Sequence, residues 1–305
     1  MILPPSIDRK IKWFIYKSLS LLSVIRGFNV LVIILAQYFT SIFILSENQT
    51  LKNILFDSSL LCIVLASAIS IASGYIINNF YDSEKDLINR PQKSQLDRLV
   101  SQQKKLIIYF IFNFVTVIIA SYVSFRAVLF FSAYIFGIWF YSHKLKKLPL
   151  IGNLAATFLA ILPFFAIFIY YKNYDSVIFL HAIFLLLIIF MRELVKDLEN
   201  LKGDMVSGYN TIPVVYGEKT SKSILYSVIV ASIITTLILI KYFPLGYMHY
   251  FFWLGISTLV LFSVLLHYAN KKRQYVLLHN LLKFIIVAGV FSILLINPSI
   301  FVKMF

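Results

Sequence analysis

The chain has 305 residues, of which 60% are hydrophobic and 13% are charged, whereas soluble domains carry about 25% charged residues. One or two soluble cores could not bury that much apolar surface, but about nine membrane spans of about 20 residues each would absorb it. The composition therefore excludes a soluble enzyme, a disordered chain and a collagen-like protein, and the single cysteine excludes a disulfide-rich secreted domain.

The first segment of the chain, residues 1–20, interleaves basic and aromatic residues, as in Lys12, Trp13, Tyr16 and Lys17. No small-residue cleavage site follows, so the pattern does not indicate a signal peptide. It favours an amphipathic helix on the cytoplasmic membrane surface, and a plain basic tail is the alternative.

Nine apolar runs follow this segment, and lipid requires each of them to be helical because it cannot satisfy free backbone groups. None shows the period-two alternation of a barrel strand. The predicted spans are Leu21–Leu45, Ile54–Asn79, Leu106–Phe125, Ala127–Tyr141, Leu150–Tyr171, Val177–Leu194, Ser223–Tyr242, Tyr250–Tyr268 and Val276–Ile296. We therefore expect an all-α polytopic membrane protein with nine transmembrane helices in one bundle, in a single domain that covers residues 1–305.

The Lys and Arg residues, which give the chain a net charge of +15, fall mainly in alternate connections between the predicted spans. Cytoplasmic loops of membrane proteins carry an excess of basic residues, so this pattern predicts a cytoplasmic N-terminus. Two long connections on the same side, Tyr81–Lys105 and Val195–Lys222, hold most of the 13 acidic residues. Acids in loops that are otherwise basic indicate a site, and we expect a cavity that opens to the cytoplasm.

The first acidic cluster places Asn78, Asp82 and Asp86 at positions i, i+4 and i+8, on one face of a helix. Two carboxylates one turn apart repel each other, and a divalent cation would remove that cost. Because the cluster offers oxygen ligands and no nearby His or Cys, it favours Mg²⁺, which carboxylates commonly share with substrate phosphates.

The second acidic cluster places Asp197, Asn200 and Asp204 at positions i, i+3 and i+7, with Glu193 one turn earlier. Each cluster follows an even-numbered span, which indicates two related halves that face each other across a cavity. Two carboxylate stripes with Mg²⁺ and nearby basic residues would clamp a diphosphate and neutralise the charge that builds as it departs. Solvated loop acids in surface ion pairs are the alternative.

The two clusters resemble the signature motifs of the UbiA-type intramembrane prenyltransferases. The family's Asn-Asp-x-x-Asp-x-x-x-Asp motif, commonly followed by Asn-Arg-Pro, matches residues 78–91, and its Lys-Asp-x-x-Asp-x-x-Gly-Asp motif matches residues 196–204. Asn79 and Asn200 stand where the family often has Asp. An Asn brings no negative charge, so we expect weaker Mg²⁺ binding from both replacements.

The resemblance implies roles for particular residues. Arg26 and Asn29 stand where the family has an Arg-x-x-Asn in its first helix, and Tyr141, Ser142 and Lys146 stand in its fourth-loop signature. By the resemblance, the residues that carry catalysis are Asp82, Asp86, Asp197 and Asp204. The metal ligands implied are Asn78, Asp82, Asp86, Asp197, Asn200 and Asp204. The substrate-binding residues implied are Arg26, Asn29, Asn78, Arg90, Tyr141, Ser142, Lys146 and Lys196.

The resemblance also implies a reaction, the transfer of an isoprenoid chain from a polyprenyl diphosphate to a lipophilic acceptor. The residues from Arg26 to Asn29 and from Arg192 to Asp197 look most like the branch that adds geranylgeranyl to geranylgeranylglyceryl phosphate. A quinone precursor is the main alternative acceptor, and a terpene cyclase of the same fold is another.

From a different class, a transporter or a lipid-binding protein would use the acidic pairs for ions, near the middle of the bilayer. We expect no nucleic-acid partner and no obligate protein partner. The expected location is the cell inner or plasma membrane, with the N-terminus and the site on the cytoplasmic side.

Overall fold

The computed structural model describes residues 5–45 and 50–297, although not the side chains of residues 5–12 and 14. Regular structure in these residues is entirely helical. The α-helices, in chain order, are α1 (Pro5–Val24), α2 (Gly27–Thr40), α3 (Leu51–Leu55), α4 (Ser58–Tyr81), α5 (Ser83–Asn89), α6 (Pro91–Asp97), α7 (Gln102–Ser121), α8 (Phe125–His143), α9 (Ile151–Tyr171), α10 (Ser176–Val206), α11 (Ile212–Tyr242), α12 (His249–Tyr268) and α13 (Lys272–Ser292). Short turns of other helical types lie at Ser41–Leu45, Leu145–Lys147, Gly246–Met248 and Ile293–Leu295.

Nine helical segments within the described residues are long and apolar enough to cross a membrane, which confirms the predicted number of spans and the all-α class. They are Gly27–Leu45, Ser58–Tyr81, Gln102–Ser121, Phe125–Lys147, Ile151–Tyr171, Ser176–Val206, Ile212–Tyr242, Gly246–Tyr268 and Lys272–Leu295. Each predicted span overlaps one of these segments. The largest differences lie at the sixth and seventh spans, where the helices extend 12 residues past the predicted end and begin 11 residues before the predicted start.

The first span begins at Gly27 rather than at Leu21, because the helix breaks at Arg26. Arg26 adopts left-handed backbone dihedrals, with φ of 50° and ψ of 55°, which a residue other than glycine rarely takes. The residues before the break form α1, the helix of the N-terminal segment. The first four residues of the predicted surface segment lie outside the described part of the chain.

The sixth span is a 31-residue helix, α10, which continues past its predicted end at Leu194 to Val206. The expected long connection from Val195 to Lys222 is therefore wrong, and the second acidic cluster lies on a helix. The polar side chains of this extension, such as Glu199 and Asp204, are buried against other helices. A fall in hydropathy consequently does not mark the end of the helix.

Helices α4 and α10 form the centre of the bundle. α4 packs against α2, α7 and α8, and α10 packs against α9, α11 and α13. Small residues permit close approach of such helices, since a Cβ added at Gly74 of α4 would lie 2.9 Å from Cγ2 of Ile138 in α8. Helix α5 also contacts α10, so the connection after α4 folds over the end of α10 and brings the two acidic clusters together.

Candidate active site

The two acidic clusters meet where α4 and α5 approach the C-terminal half of α10. Nζ of Lys85 in α5 lies 2.8 Å from Oδ1 of Asp204 in α10. The hydroxyl of Tyr209, in the loop after α10, donates to Oδ1 of Asp82 at 2.9 Å. Asp82 and Asp204 are both buried. The fold therefore places carboxylates from distant parts of the sequence on two walls of one polar site.

Lys146, in the turn after α8, forms a third wall of this site. Its Nζ lies 2.7 Å from Oδ1 of Asp82 and donates to Oδ1 of Asn78 at 3.3 Å. Lys146 is only 8% exposed, and a buried ammonium group needs a matching charge. The ring centre of Tyr209 lies 4.1 Å from Nζ of Lys85 and 5.8 Å from Nζ of Lys146, which adds cation–π attraction to both lysines.

Asp197 of α10 is held by a neutral partner. Its Oδ2 accepts a hydrogen bond from Nδ2 of Asn153, at the start of α9, at 2.7 Å. One turn earlier, the carboxylate of Glu193 accepts from Arg192 at 2.9 Å and from Lys196 at 2.7 Å. Glu193 therefore pairs with the neighbouring cations on α10, and Asp197 has no ion pair among the described residues.

Burial and neighbouring charges act in opposite directions on the ionisable groups that lie outside the spans. Burial raises the pKa of Asp82, but the charges of Lys146 and Lys85 outweigh it and lower the pKa from 3.8 to about 2. Burial lowers the pKa of Lys85, but Asp82 and Asp204 outweigh it and raise the pKa above 10.5. Burial and the charge of Asp82 together raise the pKa of Asp86. Asp82 and Lys85 are therefore both charged at neutral pH.

The donor atoms of the site fit a hard divalent cation. Its carboxylates and amides offer the oxygen ligands that Mg²⁺ prefers, and Oδ1 of Asn200 is buried without a hydrogen-bond partner among the described residues. The ammonium groups of Lys146 and Lys85 lie against Asp82 and Asp204, at positions that a cation can occupy. No three acidic, His or Cys side chains in the described part of the chain lie close enough together to hold a metal ion. A metal here would need further ligands, as substrate phosphates provide.

Asn79 faces away from this site, although it belongs to the first motif. Its Oδ1 accepts a hydrogen bond from Nζ of Lys105 at 2.8 Å, and its Nδ2 donates to Oδ2 of Asp97 at 3.0 Å. An amide serves both partners because it donates and accepts, whereas a carboxylate only accepts. Since both ends of the Asn79 amide are occupied by Lys105 and Asp97, the expected loss of Mg²⁺ binding from the two asparagines stays a prediction, with a structural basis at Asn200 and none at Asn79.

Arg90 lies between helices and not on the carboxylates of the two motifs. Its Nη2 is 2.8 Å from Oε1 of Glu199 in α10, and Oε2 of the same carboxylate lies 2.9 Å from Nδ1 of His279 in α13. Next to it, Asn89 is buried so tightly against α10 that a Cβ added at Gly203 would collide with its amide. The Asn-Arg-Pro segment thus packs α5 and α6 against α10, through the contact of Asn89 with Gly203 and the ion pair of Arg90 with Glu199.

An apolar cavity of about 490 Å³ lies within the bundle, and its lining includes Tyr75, three residues before Asn78, and Arg192, directly before Glu193. Its polar end is formed by Asn29, Tyr75, Arg192 and Lys283, and Nδ2 of Asn29 donates to the hydroxyl of Tyr75 at 3.2 Å. Along α2 and the Ser41–Leu45 turn that follows it, the lining continues from Asn29 to Ile44, a length of about 22 Å at about 1.5 Å per residue. The lining is mostly apolar with charged residues at one end, which suits a long apolar chain with a charged head.

The other predicted substrate-binding residues take varied positions. The guanidinium carbon of Arg26 lies 5.0 Å from the ring centre of Tyr75, at the polar end of the cavity. Tyr141 lies within electrostatic reach of Asp197. Ser142 is buried, and its Oγ has no hydrogen-bond partner among the described residues. Arg26 and Tyr141 therefore flank the cavity and the acidic site.

Sequence analysis missed three residues that complete the polar site: Lys85, Asn153 and Tyr209. Lys85 lies three residues after Asp82 on the same helical face of the first motif, but a lysine there fits an ordinary surface ion pair equally well. Tyr209 comes from the loop after α10, where Gly208 takes a φ of 68° and turns the chain back towards the site. That glycine is the one local signal that could have pointed to Tyr209.

Comparison with known proteins identifies sequences and structures that this chain resembles. The profile described as the UbiA prenyltransferase family matches residues 26–298. A digeranylgeranylglyceryl phosphate synthase from Methanobrevibacter smithii is 30% identical over 267 residues, which cover 78% of this chain and 89% of that protein. The protein of the same name from Thermococcus sibiricus is 32% identical over 238 residues, which cover 77% of this chain and 84% of that protein.

Solved structures agree with the fold. One described as "Structural and mechanistic insights into the biosynthesis of Digeranylgeranylglyceryl phosphate synthase in membranes" has a TM-score of 0.68 at 20% identity and covers 93% of this chain and 99% of its own. A UbiA homolog from Archaeoglobus fulgidus bound to GPP and Mg²⁺ has a TM-score of 0.66 at 14% identity, with coverage of 90% and 99%. At these identities the likeness establishes the fold.

Proposed function

Since the chain belongs to the UbiA prenyltransferase family, we propose that it transfers a geranylgeranyl chain from geranylgeranyl diphosphate to geranylgeranylglyceryl phosphate. The observation that carries this proposal is the meeting of two carboxylate motifs beside a long apolar cavity. The names of the relatives that match most of the chain support this acceptor over a quinone precursor.

In the proposed reaction, the bond between C1 of the donor and the diphosphate oxygen breaks, and the acceptor's hydroxyl oxygen forms a new bond to C1. The diphosphate leaves with the bonding electrons, and the hydroxyl loses its proton. Mg²⁺, when bound, supplies positive charge that stabilises the departing diphosphate. Lys85 and Lys146 add positive charge beside the motif carboxylates Asp204 and Asp82, and Lys196 adds positive charge beside Glu193.

The oxygen donors of the two motifs are the ligands that we propose for Mg²⁺: Asn78, Asp82, Asp86, Asp197, Asn200 and Asp204. The four carboxylates among them carry the negative charge that attracts Mg²⁺. We therefore expect their loss to reduce activity more than the loss of either amide. Lys85 and Lys146 now contact Asp204 and Asp82. With metal on those carboxylates, both ammonium groups would turn to the phosphate oxygens, which is the arrangement that a diphosphate needs.

The proposed substrate contacts follow the same geometry. Lys146 and Lys196 lie beside the carboxylates and would contact the diphosphate, and the hydroxyls of Tyr141 and Ser142 would add hydrogen bonds. Arg90 would join them only by leaving Glu199, to which it is bound at 2.8 Å. Deeper along the bundle, the apolar part of the cavity would hold the prenyl chain.

We also propose that residues 1–305 act as one domain in the cell inner or plasma membrane, with the site facing the cytoplasm. The basic connections support this orientation. In a Cys62→Ala background, a membrane-impermeant maleimide added to intact cells should label Lys172→Cys and not Lys202→Cys, since these two exposed positions lie at opposite ends of the spans. The reverse labelling would overturn the orientation.

The direct test of the reaction uses the purified protein in lipid with radiolabelled geranylgeranyl diphosphate and Mg²⁺. Geranylgeranylglyceryl phosphate and dihydroxynaphthoate are offered in parallel, and the products are resolved by chromatography. We expect labelled ether lipid with the first acceptor alone. Product with dihydroxynaphthoate alone would show that the protein prenylates a quinone precursor. Diphosphate release without either product would indicate a cyclase.

The test of the site compares two Asp→Asn variants under the same conditions. Asp82→Asn removes a buried carboxylate that lies 2.7 Å from Lys146, and we expect kcat/KM to fall about 10²-fold or more. Asp175→Asn changes an exposed aspartate before α10 and should leave activity unchanged. Equal activity of the two variants would exclude Asp82 from the site.

A further inference from the structure

Lys283 is a charged residue within an apolar span, and the acidic site does not account for it. It lies in α13, is exposed, and has no ion-pair partner within 4 Å among the described residues. A charged side chain inside a membrane span is costly, and such residues usually mark functional sites. Lys283 therefore points to a ligand that the acidic site does not bind.

The neighbours of Lys283 increase this cost. Lys283 and Arg192 both line the polar end of the apolar cavity. The largest charges that act on Lys283 are the like charges of Arg192, Arg26 and Arg90, and they outweigh the opposite charge of Glu199. Like charges gathered at a low-dielectric cavity repel each other strongly, so an anion bound among them would remove an unfavourable interaction.

The acids in this region are already committed to other cations. Glu199 holds Arg90 at 2.8 Å and also contacts a histidine. Glu193 holds Arg192 at 2.9 Å and is shared with a lysine one turn along α10. No carboxylate pairs with Lys283, and the carboxylate that pairs with Arg192 is shared with Lys196. The charges at this end of the cavity therefore sum to a net positive charge.

Two anions are available in the proposed reaction: the diphosphate of the donor and the phosphate of the acceptor. The diphosphate has its own cations, since Lys85 and Lys146 lie on the motif carboxylates. Arg192 precedes Asp197 by more than one helical turn, and Lys283 projects from a different helix, α13. The surplus cations thus form a second anion site, adjacent to the first.

We propose that Lys283 and Arg192, assisted by Arg26, bind the phosphate monoester of the lipid acceptor. Guanidinium and ammonium groups bind phosphate through charge-assisted hydrogen bonds. This inference rests on the proposed function. It gives a physical reason for acceptor choice, because a phosphate monoester carries up to two negative charges on three oxygens, whereas a quinone precursor such as dihydroxynaphthoate brings only the single charge of a carboxylate.

Steady-state kinetics of Lys283→Met in lipid test this subsite. We expect the KM for geranylgeranylglyceryl phosphate to rise about tenfold or more, and the KM for geranylgeranyl diphosphate to stay unchanged. Lys283→Arg keeps the charge and should retain most of the affinity. Lys241→Met, at the end of α11 and outside the cavity lining, is the matched control and should change neither KM.

A second readout compares the acceptor with its dephosphorylated analogue, geranylgeranylglycerol. The wild type should prefer the phosphorylated acceptor, and Lys283→Met and Arg192→Gln should lose that preference while still releasing diphosphate. An unchanged acceptor KM in both variants would overturn the subsite alone, and a raised donor KM would assign the cluster to the diphosphate instead. No product from the wild type with either acceptor would overturn the proposed function and the subsite together.

Discussion

At the scale of single residues, the buried ammonium group of Lys146 holds the first motif together through Asp82 and Asn78. Replacing Lys146 by Met leaves Asp82 without its nearest cation and removes a proposed phosphate contact. We expect kcat/KM for diphosphate release to fall about 10²-fold. Lys144→Met, an exposed neighbour, should behave as the wild type. Comparable rates for the two variants would contradict the role of Lys146.

Asn79 and Asn200, which stand where the family often has Asp, should differ in how replacement by aspartate changes the Mg²⁺ requirement. Asn200→Asp adds a charge at a buried oxygen that has no partner among the described residues. We expect half-maximal activity at a severalfold lower Mg²⁺ concentration. The metal-free protein should lose thermal stability, because three carboxylates then share one face of α10.

Asn79→Asp serves as the contrasting variant, since it changes a residue that faces away from the site. It loses the donor to Asp97 and sets two carboxylates against each other. We expect the free energy of unfolding to fall by about 1–3 kcal/mol, with the Mg²⁺ dependence unchanged. A lower Mg²⁺ requirement in Asn79→Asp would place Asn79 among the metal ligands after all.

The pKa of Asp82 predicts how the stability of the metal-free protein depends on pH. Burial acts against the charge, but Lys146 and Lys85 lower the pKa in the folded state to about 2, from 3.8. The carboxylate therefore stabilises the fold above pH 3.8, and this contribution is lost as the pH falls towards about 2. The Tm difference between the wild type and Asp82→Asn should shrink over that range. A difference that stays constant would show that Asp82 is not paired.

Spacing alone identified the carboxylates of the site, but not the groups that neutralise them. Asp82 and Asp204 follow a helical period that can be read directly from the sequence. Lys85 and Tyr209 reach them from the other side of a packing contact between α5, α10 and the loop beyond. A contact of that kind depends on the tertiary fold, and the only local sign of it is Gly208, which marks a turn before Tyr209 but not the partner that the turn reaches.

At the scale of elements, the contact between α5 and α10 assembles the site, and Gly203 makes it possible. A Cβ at this position would collide with the buried side chain of Asn89. We expect Gly203→Ala to lower the Tm and to reduce activity about tenfold or more, because both motifs move apart. Gly255→Ala, where an added Cβ meets nothing within 4 Å, is the matched control. That variant should keep full activity.

Element boundaries were predictable where hydropathy changes sharply, and less so where polar residues are buried. The predicted end of the sixth span at Leu194 is wrong because Glu199 and Asp204 lie on a helix that other helices cover. The start of the first span is displaced because Arg26 breaks the helix within an apolar run. Hydropathy measures the transfer of side chains to lipid. It does not report the burial of polar side chains between helices or a break in the helix backbone.

At the scale of the whole molecule, the bundle joins a charged site to an apolar cavity. The motifs of α4 and α10 lie at one end, and the cavity runs away from them along α2. A reaction between two lipid substrates requires this arrangement, because the reacting heads need charge and the chains need an apolar surface. The length of the cavity should therefore set the length of the chain that is transferred.

The last prediction tests this relation by shortening the cavity. Ala182 lines it on α10, and Ala182→Phe would fill part of its volume. We expect kcat/KM for geranylgeranyl diphosphate to fall about tenfold or more, while the value for geranyl diphosphate is retained, since steric exclusion acts only on the longer chain. Ala133→Phe, on the exposed face of α8, adds the same group outside the cavity and should change neither value. Equal losses for both donors in Ala182→Phe would mean that the chain does not occupy this cavity.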